Sequence, residues 1–217
     1  SDSELLDLGR YEMELEPVGR KNSFMEIVKG YSHERALSES ARCVECGICT
    51  ETCPAHMNIP EYIKSVWEGD MKGAVEYLYK TNPLANVCGR ICTHKCEDVC
   101  ALRHRGEAIA IRWLKRYIAD QFSPEQYKDV LALSKADESG KKVAIGRSGP
   151  SGLSAAYHLA RKGIRSTIFE ALPVPGGMLR VGIPDYRLPP EVLNKEVDYI
   201  LKMGSEWRRL RIVVLLG

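Results

Sequence analysis

All eight cysteines of this 217-residue chain lie between Cys43 and Cys100, with none before or after. Crowding of that kind is local chemistry rather than a stapling framework, and in a reducing compartment it points to metal ligation ahead of disulfides. The first four run Cys43-x2-Cys46-x2-Cys49-x3-Cys53-Pro54. This is the spacing with which bacterial ferredoxins hold one cubane iron–sulfur cluster on three thiolates and lend the fourth to a second cluster. Two-residue gaps let one tight loop reach three irons, and Gly47 lets the backbone wrap closely around them. The second four, Cys88, Cys92, Cys96 and Cys100, recur every four residues, a period that alone would set them along one helical stripe. Eight thiolates suffice for two clusters. Two four-cysteine zinc sites would use the same atoms, but such sites favour paired Cys-x2-Cys knuckles. Disulfides or free thiols are the remaining alternatives. His56, His94 and His104 sit near the cysteines on polar stretches, where a solvated or hydrogen-bonded imidazole is expected rather than a ligand.

Net charge is +2 with the signs intermixed, so no basic stripe invites nucleic acid. No apolar run approaches the roughly 20 residues that cross a bilayer. No basic-then-apolar leader opens the sequence, and a cytoplasmic location is expected. Residues 1–30 read as a polar arm laid over another surface. Residues 31–133 read as a helical domain. Ser32 caps a helix that delivers the chain to Cys43, and Asn58 and Glu61 have capping-box spacing ahead of Ile59, Tyr62, Ile63 and Val66. Asp70 caps a helix from Met71 to about Lys80, and Asn82-Pro83 opens the loop to the second cysteines. Ala108 to Gln121 carries a broad apolar stripe that would close the domain over the metal sites.

A charged linker, 134–141, precedes a change of pattern at residues 142–217, which read as a partial Rossmann-type domain. Lys142 to Ile145 is a strand, Gly146 to Gly152 a glycine-rich turn, Leu153 to Lys162 a helix and Ser166 to Phe169 a second strand. In that context Gly149 lets the backbone approach a pyrophosphate, Gly152 lets helix and strand pack closely, and Glu170 stands where a carboxylate meets a ribose. The first glycine of the expected Gly-x-Gly-x-x-Gly falls at Arg147 instead, where a side chain would crowd the turn or weaken nucleotide binding.

These motifs occur with Asn58-Ile59-Pro60, Asn82-Pro83-Leu84, Val87-Cys88-Gly89-Arg90-Ile91-Cys92 and the run from Glu170 through Gly176-Gly177-Met178-Leu179-Arg180 to Pro184. Together they resemble the small (beta) subunit of glutamate synthase, from about residue 30 to 204. The wider group includes the N-terminal part of dihydropyrimidine dehydrogenase and the flavoprotein subunits of electron-bifurcating ferredoxin:NADP oxidoreductases. The resemblance implies an α-helical ferredoxin-like domain with two [4Fe-4S] clusters, followed by the start of an α/β Rossmann-type FAD-binding domain. By position it assigns Cys43, Cys46, Cys49 and Cys100 to one cluster and Cys53, Cys92 and Cys96 to the other. Relatives supply a Glu or Gln as the eighth ligand where this chain has Lys115, so Cys88 becomes the substitute. For FAD it implies Gly149, Gly152, Glu170, Gly177 and Leu179, with Arg180 near the flavin.

The implied function is electron transfer from NAD(P)H through FAD and the clusters to a larger catalytic subunit, such as that of glutamate synthase. No acid–base or nucleophilic triad is apparent. A second dinucleotide fingerprint for NADPH and a returning FAD segment are missing before Gly217, so the chain reads as an N-terminal fragment that would not oxidise NADPH alone. The rival is a non-catalytic helical interaction module, stabilised by iron–sulfur or zinc, with a vestigial nucleotide domain.

Overall fold

A computed structural model describes residues 21–122, 126 and 139–210. Most of the expected linker, most of the arm and the last seven residues lie outside that range. The helical part comprises α1 (His33–Ala41), α2 (Ile48–Thr52), α3 (Ile59–Trp67), α4 (Met71–Thr81), α5 (Ala85–Ile91), α6 (Lys95–Asp98), a 3₁₀ turn (Ala101–His104) and α7 (Ile111–Asp120). Ser32 caps α1 by accepting from the Arg35 N–H, and Asp70 caps α4 by accepting from the Gly73 N–H. The Asn58 side chain makes no capping bond; its carbonyl oxygen is buried without a partner.

The helical stripe expected for the second cysteines does not form. The chain breaks after α5, turns at His94 in the left-handed region (φ 43°), and breaks again at Cys100. Three short pieces therefore point their thiols in different directions, which one continuous helix could not do.

Helix α7 is buried on nearly every side, and α5 lies directly across it. Gly89 permits that crossing: a Cβ there would sit 2.9 Å from the Arg116 Cα, closer than real contacts allow. Tyr62, Ile63, Leu78, Leu114 and Ile118, all at most 1% exposed, fill the space between helices. From the described end of the arm, Glu26 pairs with Arg90 and Arg116, and Phe24 stacks on Tyr186.

The second part is β1 (Lys142–Gly146), α8 (Pro150–Arg161), β2 (Arg165–Glu170), α9 (Met178–Val181), α10 (Pro190–Lys202) and β3 (Ser205–Arg209). The strands form a parallel sheet in the order β1-β2-β3, with Gly146 opposite Phe169 and Glu170 opposite Arg209. The Trp207-Arg208-Arg209 stretch is thus part of a regular edge strand. The parts are joined closely. Tyr157 donates to the Tyr79 carbonyl at 2.6 Å, Arg161 to the Lys80 carbonyl at 2.8 Å, and Lys195 to the Ala119 carbonyl at 3.0 Å. No described helix is long and apolar enough to cross a membrane.

Candidate cluster cavities and nucleotide turn

The cysteines open onto two adjacent cavities. The first is lined by Cys43, Cys46, Cys49 and Cys100, walled by Pro60, Ile63, Leu102, Ile109 and Ile111. The second is lined by Cys53, Cys92 and Cys96, with Met57, Ile59, Tyr62, Ile111 and the amino group-bearing Lys115. Ile111 is common to both walls. Two folding features bring these thiols together from distant sequence. Gly47 adopts φ 78°, turning the Cys43–Cys46 loop back into α2, and the break at Cys100 returns the last thiol to the first. Cys88 lies off both walls: it sits in α5 between buried Val87 and Gly89.

Burial pushes the thiols of Cys43 and Cys49 up to about 11 and that of Cys96 up to about 12, the neighbouring cysteines adding to it. Thiolates grouped this way are stable only against a positively charged centre. All eight cysteines are free thiols. Among the described residues no three His, Cys, Asp or Glu side chains converge as ligands to a single metal ion. A cubane asks for something else, because its four ligands bind four separate irons, and a thiol-lined cavity with aliphatic walls fits that donor set.

A buried ion pair holds the first cysteine loop in position. Arg42 and Glu39 are both fully buried; Arg42 donates to the Glu39 carboxylate at 2.9 and 3.0 Å and to the Glu107 carbonyl at 2.5 Å. Glu39 also accepts from the Ala110 N–H at 2.7 Å. This clamp ties the end of α1, one residue before Cys43, to the segment that leads into α7.

In the nucleotide turn, Gly149 is the residue before α8 and faces open space, so its backbone is free to approach a phosphate at the helix N-terminus. Gly152 has no such room: a Cβ would lie 2.1 Å from the Arg147 carbonyl oxygen. Gly177, at φ 54°, packs against Gly149, where a Cβ would come within 2.8 Å of its Cα. Leu179 is buried beneath, and Arg180 reaches across to the Asn194 side chain. Glu170 turns inward rather than toward solvent. It accepts from the Ser148 N–H and hydroxyl at 2.7 and 2.6 Å and from the Leu172 N–H at 2.9 Å. Burial alone would raise its carboxyl, but these hydrogen bonds win and hold it down to about 2. Its position under the turn therefore staples the loop.

Arg147 occupies the first-glycine position at φ 75°, with its side chain exposed. A left-handed residue with a Cβ costs about 1–2 kcal/mol, part of which glycine gives back through unfolded-state entropy. Arg147→Gly is thus expected to stabilise the fold by about 1 kcal/mol, read as a melting temperature about 2–4 °C higher. An unchanged or lower melting temperature would refute the strain.

A cysteine-lined helical unit joined to a Rossmann-type turn is the architecture of an iron–sulfur oxidoreductase. Residues 20–127 match the family described as dihydropyrimidine dehydrogenase domain II, 4Fe-4S cluster, and residues 145–210 the NAD(P)-binding Rossmann-like domain. The chain is 42% identical over 175 residues to the NADP(+)-dependent formate dehydrogenase subunit beta of Moorella thermoacetica, covering 72% of this chain and 25% of that one. It is 35% identical over 210 residues to the glutamate synthase [NADPH] small chain of Escherichia coli K12, covering 94% of this chain and 44% of that one. It is also 39% identical over 160 residues to the NADPH-Fe(3+) oxidoreductase subunit beta of Geobacter sulfurreducens, 73% of this chain and 24% of that one. The chain belongs to the iron–sulfur oxidoreductase family in which glutamate synthase small chains are found. It spans between about a quarter and under half of the length of these relatives.

Proposed function

We propose that the chain carries electrons between NAD(P)H and the active site of a larger partner subunit, by way of FAD and two [4Fe-4S] clusters. When bound, the flavin and clusters turn a two-electron hydride into single-electron steps. The protein's own part is to hold, space and shield them. Cys43, Cys46, Cys49 and Cys100 would hold the first cluster, and Cys53, Cys92 and Cys96 would supply the thiolates of the second. Gly149 and the N-terminus of α8 would receive the pyrophosphate of FAD, while Glu170 and Ser148 keep the turn in shape. Gly152, Gly177, Leu179 and Arg180 complete the proposed nucleotide site, with Gly177 packed on the turn and Arg180 anchored to α10. The large subunit of glutamate synthase, or an analogous oxidoreductase subunit, is the proposed acceptor.

One observation carries this reading: thiols from opposite ends of a 58-residue stretch divide between two cavities that share the wall residue Ile111. Adjacent cavities suit a relay, since electrons then cross one side chain's width of apolar protein. Anaerobically purified protein is expected to contain about eight irons with matching acid-labile sulfide and about one flavin. Colourless protein containing zinc would establish the interaction-module reading instead. Clusters without flavin would mean that Arg147, or the shortness of this chain beside its relatives, has disabled the nucleotide site.

A further inference from the structure

Of the eight cysteines Cys46 alone is exposed, so the first cavity comes nearest to solvent at that loop, while the thiols of the second stay partly covered. The loop is apolar where a merely solvated one would be polar. Val44 is 48% exposed and Ile48 47%, two residues to either side of Cys46. Glu45, between Val44 and Cys46, stands in the left-handed region at φ 54°, a conformation that few residues other than glycine adopt and that the surroundings have to impose. The Lys64 amine reaches Glu45 at 3.5 Å, which brings the outward stripe of α3 alongside the loop. Trp67, one turn beyond Lys64 on that stripe, is 55% exposed.

The charges around this apolar group are mostly of one sign. Glu45, Glu51, Glu61 and Glu68 are exposed on the loop, α2 and the stripe of α3, and Lys64, the one amine among them, is already shared with Glu45. From the turn that carries Leu102 to the same cavity, Arg103 is paired with Asp98 at 3.1 Å, and exposed Arg105 is offset in charge by exposed Glu107. A small apolar centre inside a charged rim is the make-up of a transient electron-transfer contact, which depends on fast, steered encounter rather than on a large buried area.

We infer that this face, with Val44, Cys46, Ile48 and Trp67 inside an acidic rim, is where electrons leave the chain, and that it docks a one-electron acceptor protein whose redox centre lies in an apolar patch ringed by lysine and arginine. The inference rests on the two-cluster reading above and deepens it, by making the cluster of the first cavity the last one on the route. One electron passes from that cluster to the acceptor; no bond forms or breaks and no proton moves.

The test uses ferric cytochrome c, a lysine-rimmed haem protein, as the probe. The anaerobically reconstituted chain, reduced with dithionite and desalted, is mixed with it in a stopped-flow spectrometer that follows haem reduction and cluster re-oxidation together. The second-order rate is expected to fall about tenfold between about 0.02 and about 0.3 M salt. Glu51→Lys should slow it about tenfold at low salt and Lys64→Glu should speed it, whereas Glu206→Lys, on exposed β3, should change it by less than about twofold. Ile48→Ser should slow it at high salt too, where the rim is screened. A carbodiimide, which joins carboxylates to amines, should link Glu45 or Glu51 to the cytochrome whether or not electrons move. Equal slowing by Glu51→Lys and Glu206→Lys, or cross-links confined to other carboxylates, would overturn the assignment. Links between two copies of the chain through the same glutamates, with a dimer in sedimentation, would put a second copy on the face and overturn it as well. A chain that binds no iron would instead bring down the two-cluster reading, and the exit face with it.

Discussion

Replacing Glu39 by alanine is expected to cost about 3–5 kcal/mol, because it strands the fully buried Arg42 guanidinium without its counter-ion. The loss is larger than for a surface pair, since no water reaches Arg42 to take over. It also frees the Ala110 N–H at the start of α7, so two connections to the first cysteine loop fail together. Arg42 already has one unpaired nitrogen, Nε, which leaves little to compensate. Urea unfolding monitored by far-ultraviolet circular dichroism measures the loss. A drop under about 1 kcal/mol, the range of exposed ion pairs, would show that water enters and that the clamp is not buried in solution. Replacing both partners by apolar residues should recover much of the loss, because the desolvation penalty then disappears as well.

Glu196 on α10 gives the second large effect. Fully buried, it accepts from the Tyr79 hydroxyl at 2.7 Å, the Asn86 N–H at 2.5 Å and the Val87 N–H at 3.1 Å, thereby capping α5 from the other half of the molecule. Glu196→Ala takes the shared acceptor from three buried donors, at about 1–3 kcal/mol each, and about 3–5 kcal/mol in all once the site relaxes. Glu196→Gln separates charge from packing. Burial pushes the Glu196 carboxyl up to about 7, against the downward pull of its three hydrogen bonds. Between the ordinary value of 4.5 and about 7 the folded protein therefore holds more protons than the unfolded chain. Its stabilising share is full below the lower value and declines as pH rises through the upper one, by about 3 kcal/mol. Denaturation midpoints at pH 5 and 8 should differ markedly in the unsubstituted protein and little in Glu196→Gln. Equal declines in both would place the titration elsewhere. Glu170 does not interfere, because its depressed carboxyl loses its contribution only below about 4.5.

Much of this site is legible in the sequence, for reasons that differ by residue. Short cysteine gaps leave few geometries, so the grouping of Cys43, Cys46 and Cys49 follows from spacing. The return of Cys100 to that group depends on breaks at His94 and Cys100, which a four-residue period conceals. The strand-turn-helix around Gly149 is equally plain, because Gly152 sits where no other residue fits. Glu39 and Glu196 were hidden by composition, since charged residues on helices are usually solvated. A signal existed all the same. Glu196 falls in register with Val192, Leu193, Val197 and Ile200, and Glu39 with Ala36 and Ser40, so each lies on its helix's buried face. What no spacing indicates is the partner, which comes from a distant element.

The carbonyls of Tyr79, Lys80 and Ala119 end helices of the iron–sulfur half, yet they receive their hydrogen bonds from α8 and α10 of the nucleotide half. Severing the chain between the halves would remove these hydrogen bonds together with the apolar surface that they flank. The two pieces should therefore behave as obligate mates, reassociating when co-expressed and precipitating when made apart.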